Sequence, residues 1–514
     1  GANALQFENN GQLVKTGAGS VYFGVPASGS GTIDGVGLIS GSGLISVEQG
    51  LLSFTAGALE GGLDLGIGGI SPELRIGNTS YVLASPIAWD GGGGADISWF
   101  NALNWAGDVL PGAGSSVFIG NNINVGFSGG SLVQIASLSA GTGSTFSFGG
   151  GSLSVLGSVN LDGLYQQTGG SLTVGGGLFA NRFSLSGSSS SITGGATSGG
   201  FVVGGGGVAS TYSQTAGVIS GFASVKIIVD TNGTAGLSKN IELTGTAALP
   251  ATLSARDRLE LDAREGLINL SYASLAATQS NQLSTVDLRA FSGISVVDSS
   301  IVAPAAKFEL RAANGGGIGA LTITRSILNA AAGTKGGDGG EIRGYGSSIA
   351  LDQSSMVTSG STTGGKILLG DSQSGSVQVT ATTLVADPPA ASGGQIALNG
   401  SVVGLGAGTV LNVVGTSGGS LSIGGATTSS VSIAPGVVLQ ASPTALSSIT
   451  AGSPVVGQLT LQVVDLTPLT TSAPPSDPPP QPLTQQPSQP VAQQPPADQA
   501  PVSTGPSTPA DSQP

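Results

Sequence analysis

Leu267-Ile268-Asn269-Leu270-Ser271-Tyr272-Ala273-Ser274-Leu275 carries three apolar residues, Ile268, Leu270 and Leu275, in a spacing that recurs along the chain. The phrase is two apolar residues one apart, then a third seven after the first. It returns as Ile294, Val296, Ile301; Leu321, Ile323, Leu328; Ile349, Leu351, Met356; Val377, Val379, Leu384; Val403, Leu405, Val410; and Val431, Ile433, Val438. Successive first members lie 26, 27, 28, 28, 26 and 28 residues apart, and a weaker copy at Ile241 and Leu243 precedes Ile268 by 27. A fixed period of this length signals stacked units, each burying its apolar face only against its neighbours.

About 18 residues after each first member comes a second apolar pair, as in Leu259 and Leu261, Val286 and Leu288, Ile367 and Leu369, Ile396 and Leu398, Leu421 and Ile423. Phe308 with Leu310 arrives early and Ile342 late. A spacing of one within each pair is the period-2 mark of a strand with one buried face. Each unit therefore holds two or three short strands joined by turns of Gly, Ser, Thr and Asn. Helical repeats are excluded, and the leucine and asparagine ladder of a leucine-rich repeat is missing. The fold expected is all-β, an elongated parallel β-helix. At a strand spacing of roughly 4.8 Å, the eight coils from Ile241 would rise about 40 Å.

Composition agrees with a rod. Gly is 89 of 514 residues, charged residues are 8% and aromatics 4%, and small side chains suit tight turns and narrow interiors. No run of about 18 apolar residues occurs to span a bilayer. The net charge of −13 argues against a nucleic-acid partner, whose phosphates need a Lys/Arg surface. Cys and His are both absent, which excludes Ser-His and Cys-His nucleophile systems and the usual zinc sites. The chain begins at Gly1 without a signal peptide, so a mature product or a fragment is expected.

The chain divides by composition. Residues 1–87 read as Gly-rich coils, with apolar runs at Val21–Phe23, Leu51–Phe54 and Tyr81–Leu83. Residues 88–116 hold Trp89, Trp99 and Trp105 in a Gly/Pro-rich connection, read as a plug or cap over a coil stack, the alternative being a sugar-stacking platform. Residues 117–240 form a looser block of coils of about 20 residues. There Gly-Gly-Ser-Leu recurs at Gly129–Leu132, Gly150–Leu153 and Gly169–Leu172, and Tyr165-Gln166-Gln167 is echoed 47 residues later at Tyr212-Ser213-Gln214. Residues 241–467 carry the long coils. Residues 468–514 contain fifteen of the 26 prolines and no Lys or Arg, and are expected to be a disordered linker whose deletion leaves the melting temperature unchanged.

Leu259-Glu260-Leu261-Asp262-Ala263-Arg264, Val286-Asp287-Leu288-Arg289-Ala290 and Phe308-Glu309-Leu310-Arg311-Ala312 resemble the coil repeats of filamentous haemagglutinin-like exoproteins. The Trp-x5-Trp segment with its Pro-Gly, and the Tyr-x-Gln-Thr-x-Gly phrases, are similar to coils of autotransporter passenger domains. The resemblance covers residues 90–460. It implies a right-handed β-helix in a secreted Gram-negative surface protein, an adhesin that attaches to cells, glycans or surfaces. It also implies an outer-membrane secretion partner or barrel encoded outside this chain. Two departures stand out: residues 1–87 show no Asn-Pro-Asn-Gly-type secretion motif, and the carboxyl end carries no barrel strands.

Some β-helical proteins cleave polysaccharides, so the carboxylates matter. Aligning second strands gives three outward columns: Arg258, Thr285, Lys307; Glu260, Asp287, Glu309; and Asp262, Arg289, Arg311. The middle column could hold Ca²⁺ or act as an acid/base pair, but its basic flanks favour a solvated, charge-alternating face. Near-constant coil intervals leave little chain for loops that wall a cleft, so no catalytic residue, metal or cofactor is expected, and neither is glycan cleavage. A β-helical lyase or hydrolase using Glu260, Asp287 and Glu309 is the alternative function, and a self-associating matrix or layer protein a further one. Gly336-Gly337-Asp338-Gly339-Gly340 is read as a turn, since calcium-binding glycine repeats work in tandem. Gly41–Gly43 precedes no βαβ unit, and the acceptor-like Asn78-Thr79-Ser80 and Asn232-Gly233-Thr234 carry no weight among so many Ser and Thr.

Overall fold

Pairing every strand with its counterpart one coil away lets apolar residues stack into continuous interior columns. In the computed structural model, Ile241 pairs with Ile268, then Ile294, Leu321, Ile349, Val377, Val403 and Val431, all in parallel register. The same column runs backward through Tyr212, Phe183, Tyr165 and Phe146 to Val125, and its backbone pairing continues forward to Val455. A second column joins Ile87, Val117, Leu138, Val159, Leu178, Phe201, Val225, Leu259, Val286, Phe308, Ile342, Ile367, Ile396, Leu421 and Ile449. A third carries Leu253, Leu275, Ile301, Leu328, Met356 and Leu384. The protein is an all-β parallel β-helix, and the strands of all three columns belong to one connected set of 37. Fourteen rungs of the first column rise roughly 60 Å at strand spacing.

The structure describes residues 86–441 apart from 113–114, 196–198, 235, 280–283, 314–318, 333–336, 387–392, 416–418 and 426, together with backbone strands within 5–81 and 446–463. The chain separates into two units, Gly1–Leu466 and Thr467–Pro514, and the second, with the expected linker, lies outside the described residues. In the first 81 residues, strands form three smaller sheets of their own, such as Gln12–Lys15 beside Leu44–Val47 beside Asp64–Ile67. Their pairing is parallel except at Thr79–Tyr81, which runs antiparallel to Glu73–Ile76. Apart from that antiparallel pair, each sheet joins strands three apart in the sequence, the pairing of coils stacked on one another. Leu83, Gly41–Gly43 and Asn78 lie outside the described residues.

Three expectations need correction. In the last two coils the third anchor is Leu411 and Leu439, paired with Leu384 and with each other, whereas Val410 and Val438 face partly outward. The turn before each has gained a residue and passes through Gly408 (φ 77°) or Gly436 (φ 84°), where earlier coils turn on one left-handed residue such as Gln353 (φ 47°). Adding one residue reverses which neighbour points inward. The same slip affects the first Gly-Gly-Ser-Leu phrase: Val133, not Leu132, pairs with Leu153, and Leu132 is 73% exposed. Third, coil length changes inside the block at 117–240. Phe146, Tyr165 and Phe183 follow at 19 and 18 residues, but Phe183 to Tyr212 and Tyr212 to Ile241 each take 29. The Trp faces are buried, which goes against the sugar-stacking alternative.

All three tryptophans turn inward. Trp105 packs edge-on against Trp89 at 4.9 Å and against Trp99 at 4.7 Å, and Trp99 meets Phe127 and Phe146 of the first coils. The Trp105 indole N–H donates to the Trp99 carbonyl at 2.8 Å, so the cluster buries no orphan donor. Asn104 is buried beneath it, and its amide donates to the carbonyls of Asp96 and Ser98. The glycine run is a steric need: a Cβ on Gly92 would stand 2.4 Å from the Leu103 carbonyl oxygen. This insertion leaves strand Pro86–Ala88 and returns at Ser116–Ile119, which pair directly with each other.

Candidate functional site

Charge is scarce in this chain, so its placement is informative. The second-column sheet carries an in-register share of it on the outward positions around the buried Leu259/Leu261-type pairs. Register places Lys226, Glu260, Asp287, Glu309 and Arg343 in one column. Beside it run Arg258, Thr285, Lys307, Glu341 and Lys366, and on the other side Asp262, Arg289, Arg311 and Tyr345. The three expected carboxylates are brought together in order, and a cation closes each end of their column.

The expected solvated face is instead crowded. Glu260, Asp262 and Asp287 keep only 7%, 8% and 8% of their surface exposed. Their strand neighbours lie over them: Arg258 contacts Glu260 at 2.9 Å, the Arg289 Nε donates to Asp287 at 3.0 Å, and Lys307 meets Glu309 at 3.1 Å. Arg311 also pairs with Glu309 and stacks over Tyr345, its guanidinium 4.9 Å from the ring centre. Long aliphatic stems thus cover the carboxylates while their charged heads pair with them, although the Oδ1 of Asp262 stays buried without a hydrogen-bond partner. Burial pushes the Asp287 carboxyl above its ordinary range despite Arg289, and does the same to Asp262 despite Arg264 and Arg289. At Glu309 burial acts upward too, but bonds from Lys307 and Arg311 outweigh it and the carboxyl is lowered. Among the described residues no three carboxylates converge as a metal cage would require.

Beside this face the corner opens into a cleft of about 330 Å³. Its floor is set by two glycine pairs, 339–340 and 364–365, and its rim by Lys307, Asp338, Glu341, Thr363 and Lys366. The cause is unequal neighbouring turns. Strand Ser300–Val302 reaches Lys307–Arg311 through residues 303–306 alone, whereas Ile327–Asn329 reaches Glu341–Tyr345 through residues 330–340. The next corner compensates: residues 312–319 follow the short turn and 346–347 follow the long one. First-column intervals therefore stay even while one corner is deeply uneven, which corrects the expectation that no cleft wall exists.

The sequence held a signal for this corner in Gly-Gly-Glu-Ile at 339–342, Gly-Gly-Lys-Ile at 364–367 and Gly-Gly-Gln-Ile at 393–396. A Cβ would stand 2.4 Å from the Ala330 oxygen at Gly340, 2.0 Å from the Thr358 oxygen at Gly365 and 1.8 Å from the Ala386 oxygen at Gly394. Asp338, expected in a plain turn, accepts hydrogen bonds from the hydroxyls of Thr362 and Thr363, each at 2.7 Å. Asn232 sits in a left-handed turn, and its amide donates to the Gly207 carbonyl at 3.0 Å.

Comparison with protein-family models, curated proteins and solved structures finds no match for this chain. No helix among the described residues is long and apolar enough to cross a membrane.

Proposed function

We propose that this chain is the β-helical stalk or passenger region of a secreted surface adhesin of a Gram-negative bacterium, attaching to cells, glycans or surfaces from the outer-membrane exterior. The observation that carries the reading is the long parallel coil stack itself, whose outward positions are mostly small and polar and which carries an in-register set of charged side chains on one face. Such a rod gives reach, and repeated weak contacts along it multiply into firm attachment. An outer-membrane secretion partner or barrel would act from outside this chain. The polysaccharide-cleaving alternative needs an acid or base free to move a proton in reach of substrate. Glu260, Asp287 and Glu309 are each engaged by a cation, which weighs against it.

The test uses beads coated with the full chain, passed under flow over cultured cells and immobilised glycans. Saturable retention above that of albumin-coated beads is expected, and retention equal to albumin sinks the reading. A parallel incubation with acidic and neutral polysaccharides, with and without Ca²⁺, follows new reducing ends. Turnover that vanishes in a Glu260→Ala, Asp287→Ala double variant would replace the adhesin with an enzyme.

A further inference from the structure

The cleft at the glycine corner is the place where the charged face is recessed, and its rim holds an exposed ammonium, Lys366, beside the carboxylates of Asp338 and Glu341. Lys307 is paired with Glu309, and Glu341 is paired with Arg343 at 2.7 Å. Lys366 follows Glu341 in register, is exposed, and makes no ion pair among the described residues. In-register neighbours two coils apart put Lys307 and Lys366 roughly 10 Å from each other with Glu341 between them. The rim thus offers ammonium and carboxylate groups alternately along one line.

The rest of the lining narrows the ligand. It consists of Ala, Gly and Thr besides the charged groups, with no aromatic or large aliphatic side chain. An apolar ligand would gain little there, since small-molecule pockets for such ligands are lined chiefly by hydrophobic and aromatic groups. The glycines are imposed by the corner, but they leave a wall of backbone that no side chain can fill. Ala305, also lining the cleft, is held at φ 55° with its N–H bonded to the Ala331 carbonyl at 3.0 Å.

We infer that this cleft binds one carboxylated sugar unit of a glycan, a uronate, with its carboxylate on Lys366 and its hydroxyls on the rim carboxylate of Glu341 and the neighbouring backbone. The site is open and polar, as a subsite along an extended glycan needs, and its volume accommodates one ring rather than several. The inference rests on the adhesin reading in so far as it names one glycan class, yet it stands or falls on its own measurement.

That measurement is calorimetric titration of the full chain with a short oligogalacturonate, a neutral oligosaccharide of equal length, and acetate. The uronate should bind saturably and the neutral sugar at least roughly tenfold more weakly, since a charge-assisted bond is lost. Lys366→Gln, with an unchanged melting temperature, should weaken uronate binding by a similar factor. Lys226→Gln, on the same face but outside the cleft, should leave it unaltered. Absent uronate binding, equal binding of the neutral sugar, or indifference to Lys366→Gln overturns the assignment. Acetate competing as well as the uronate would reduce the site to a bare cation and overturn it too. If beads still adhere while uronate binding is absent, the inference fails and the adhesin reading survives.

Discussion

The coils between Val125 and Tyr212 and those from Ile241 to Val431 share one backbone ladder but fill it differently. In the first, the inner column is aromatic: Phe146, Tyr165, Phe183 and Tyr212 lie face over face, with Tyr165, Phe183 and Tyr212 at successive centre distances of 5.3 Å. In the second the same column is Ile, Leu and Val throughout. The aromatic coils also bury amides. Tyr165 donates to Gln167 and Tyr212 to Gln214, each at 2.7 Å, and the two amides donate onward to Gly170 at 2.8 Å and Gly217 at 3.0 Å. The aliphatic coils bury hydroxyls at a corner instead: Ser299, Ser326, Ser354 and Thr382 each donate to the carbonyl two residues earlier, and all four accept the backbone N–H of the coil before. A repeating ladder tolerates either filling when its buried polar groups find partners within the coil or in the next one.

This contrast can be broken at graded cost. Ile349→Asp places an unpaired charge in the dry aliphatic column and should cost several kcal/mol. The check is thermal unfolding by circular dichroism, and a melt like that of the parent chain would refute the column. In the aromatic coils, Tyr165→Phe removes the donor that satisfies the Gln167 side-chain oxygen and should cost about 1–3 kcal/mol. Adding Gln167→Leu should recover much of that, because its partners Phe148 and Leu185 are apolar. A double variant no better than the single one would show that the amide's bonds to the turn carbonyls matter more than the pair.

Ser326→Ala should cost about 1 kcal/mol by leaving the Ser299 N–H without its 3.1 Å acceptor. Thr409→Val should cost less, since Val437 fills the equivalent buried place in the next coil. Equal losses at both sites would mean that packing, not hydrogen bonding, sets the corner.

The smallest effect is expected on the charged face. Asp287 and Asp262 have carboxyls raised by burial, so each favours the folded state more as pH falls through its folded pKa toward its unfolded value. Glu309 is lowered and acts in reverse, losing its contribution as pH falls through its folded pKa. Asp287→Asn should therefore be nearly neutral in melting temperature at pH 7 and should remove part of any gain on acidification. A large loss at pH 7 that salt abolishes would show the Arg289 pair to be strongly stabilising instead.

Where a single apolar residue stood between polar ones, as at Val377 or Val431, the inward position was legible, because only one choice buries a hydrocarbon side chain. Where two apolar residues were adjacent, at Leu132-Val133, Val410-Leu411 and Val438-Leu439, the pattern admitted both. The turn length chose between them. The charged columns were legible in register but not in depth, since periodicity says which way a side chain points and not what neighbours lay over it. The cleft left only the Gly-Gly-x-Ile phrase as a trace, because the short turn at 303–306 and the long one at 330–340 are offset within their own coils.

The sequence by itself therefore determined the parallel β-helix, the coil period and the columns of anchors, all of which follow from the period-2 burial of short strands repeated at a fixed interval. Only the tertiary structure decided which of two adjacent apolar residues faces in, that the carboxylates of the ion ladder lie under their cations, and that one corner opens beside Lys366. The physical reason is that a coil fixes the total length of its turns, whereas the division of that length among its corners is expressed only once neighbouring coils are paired.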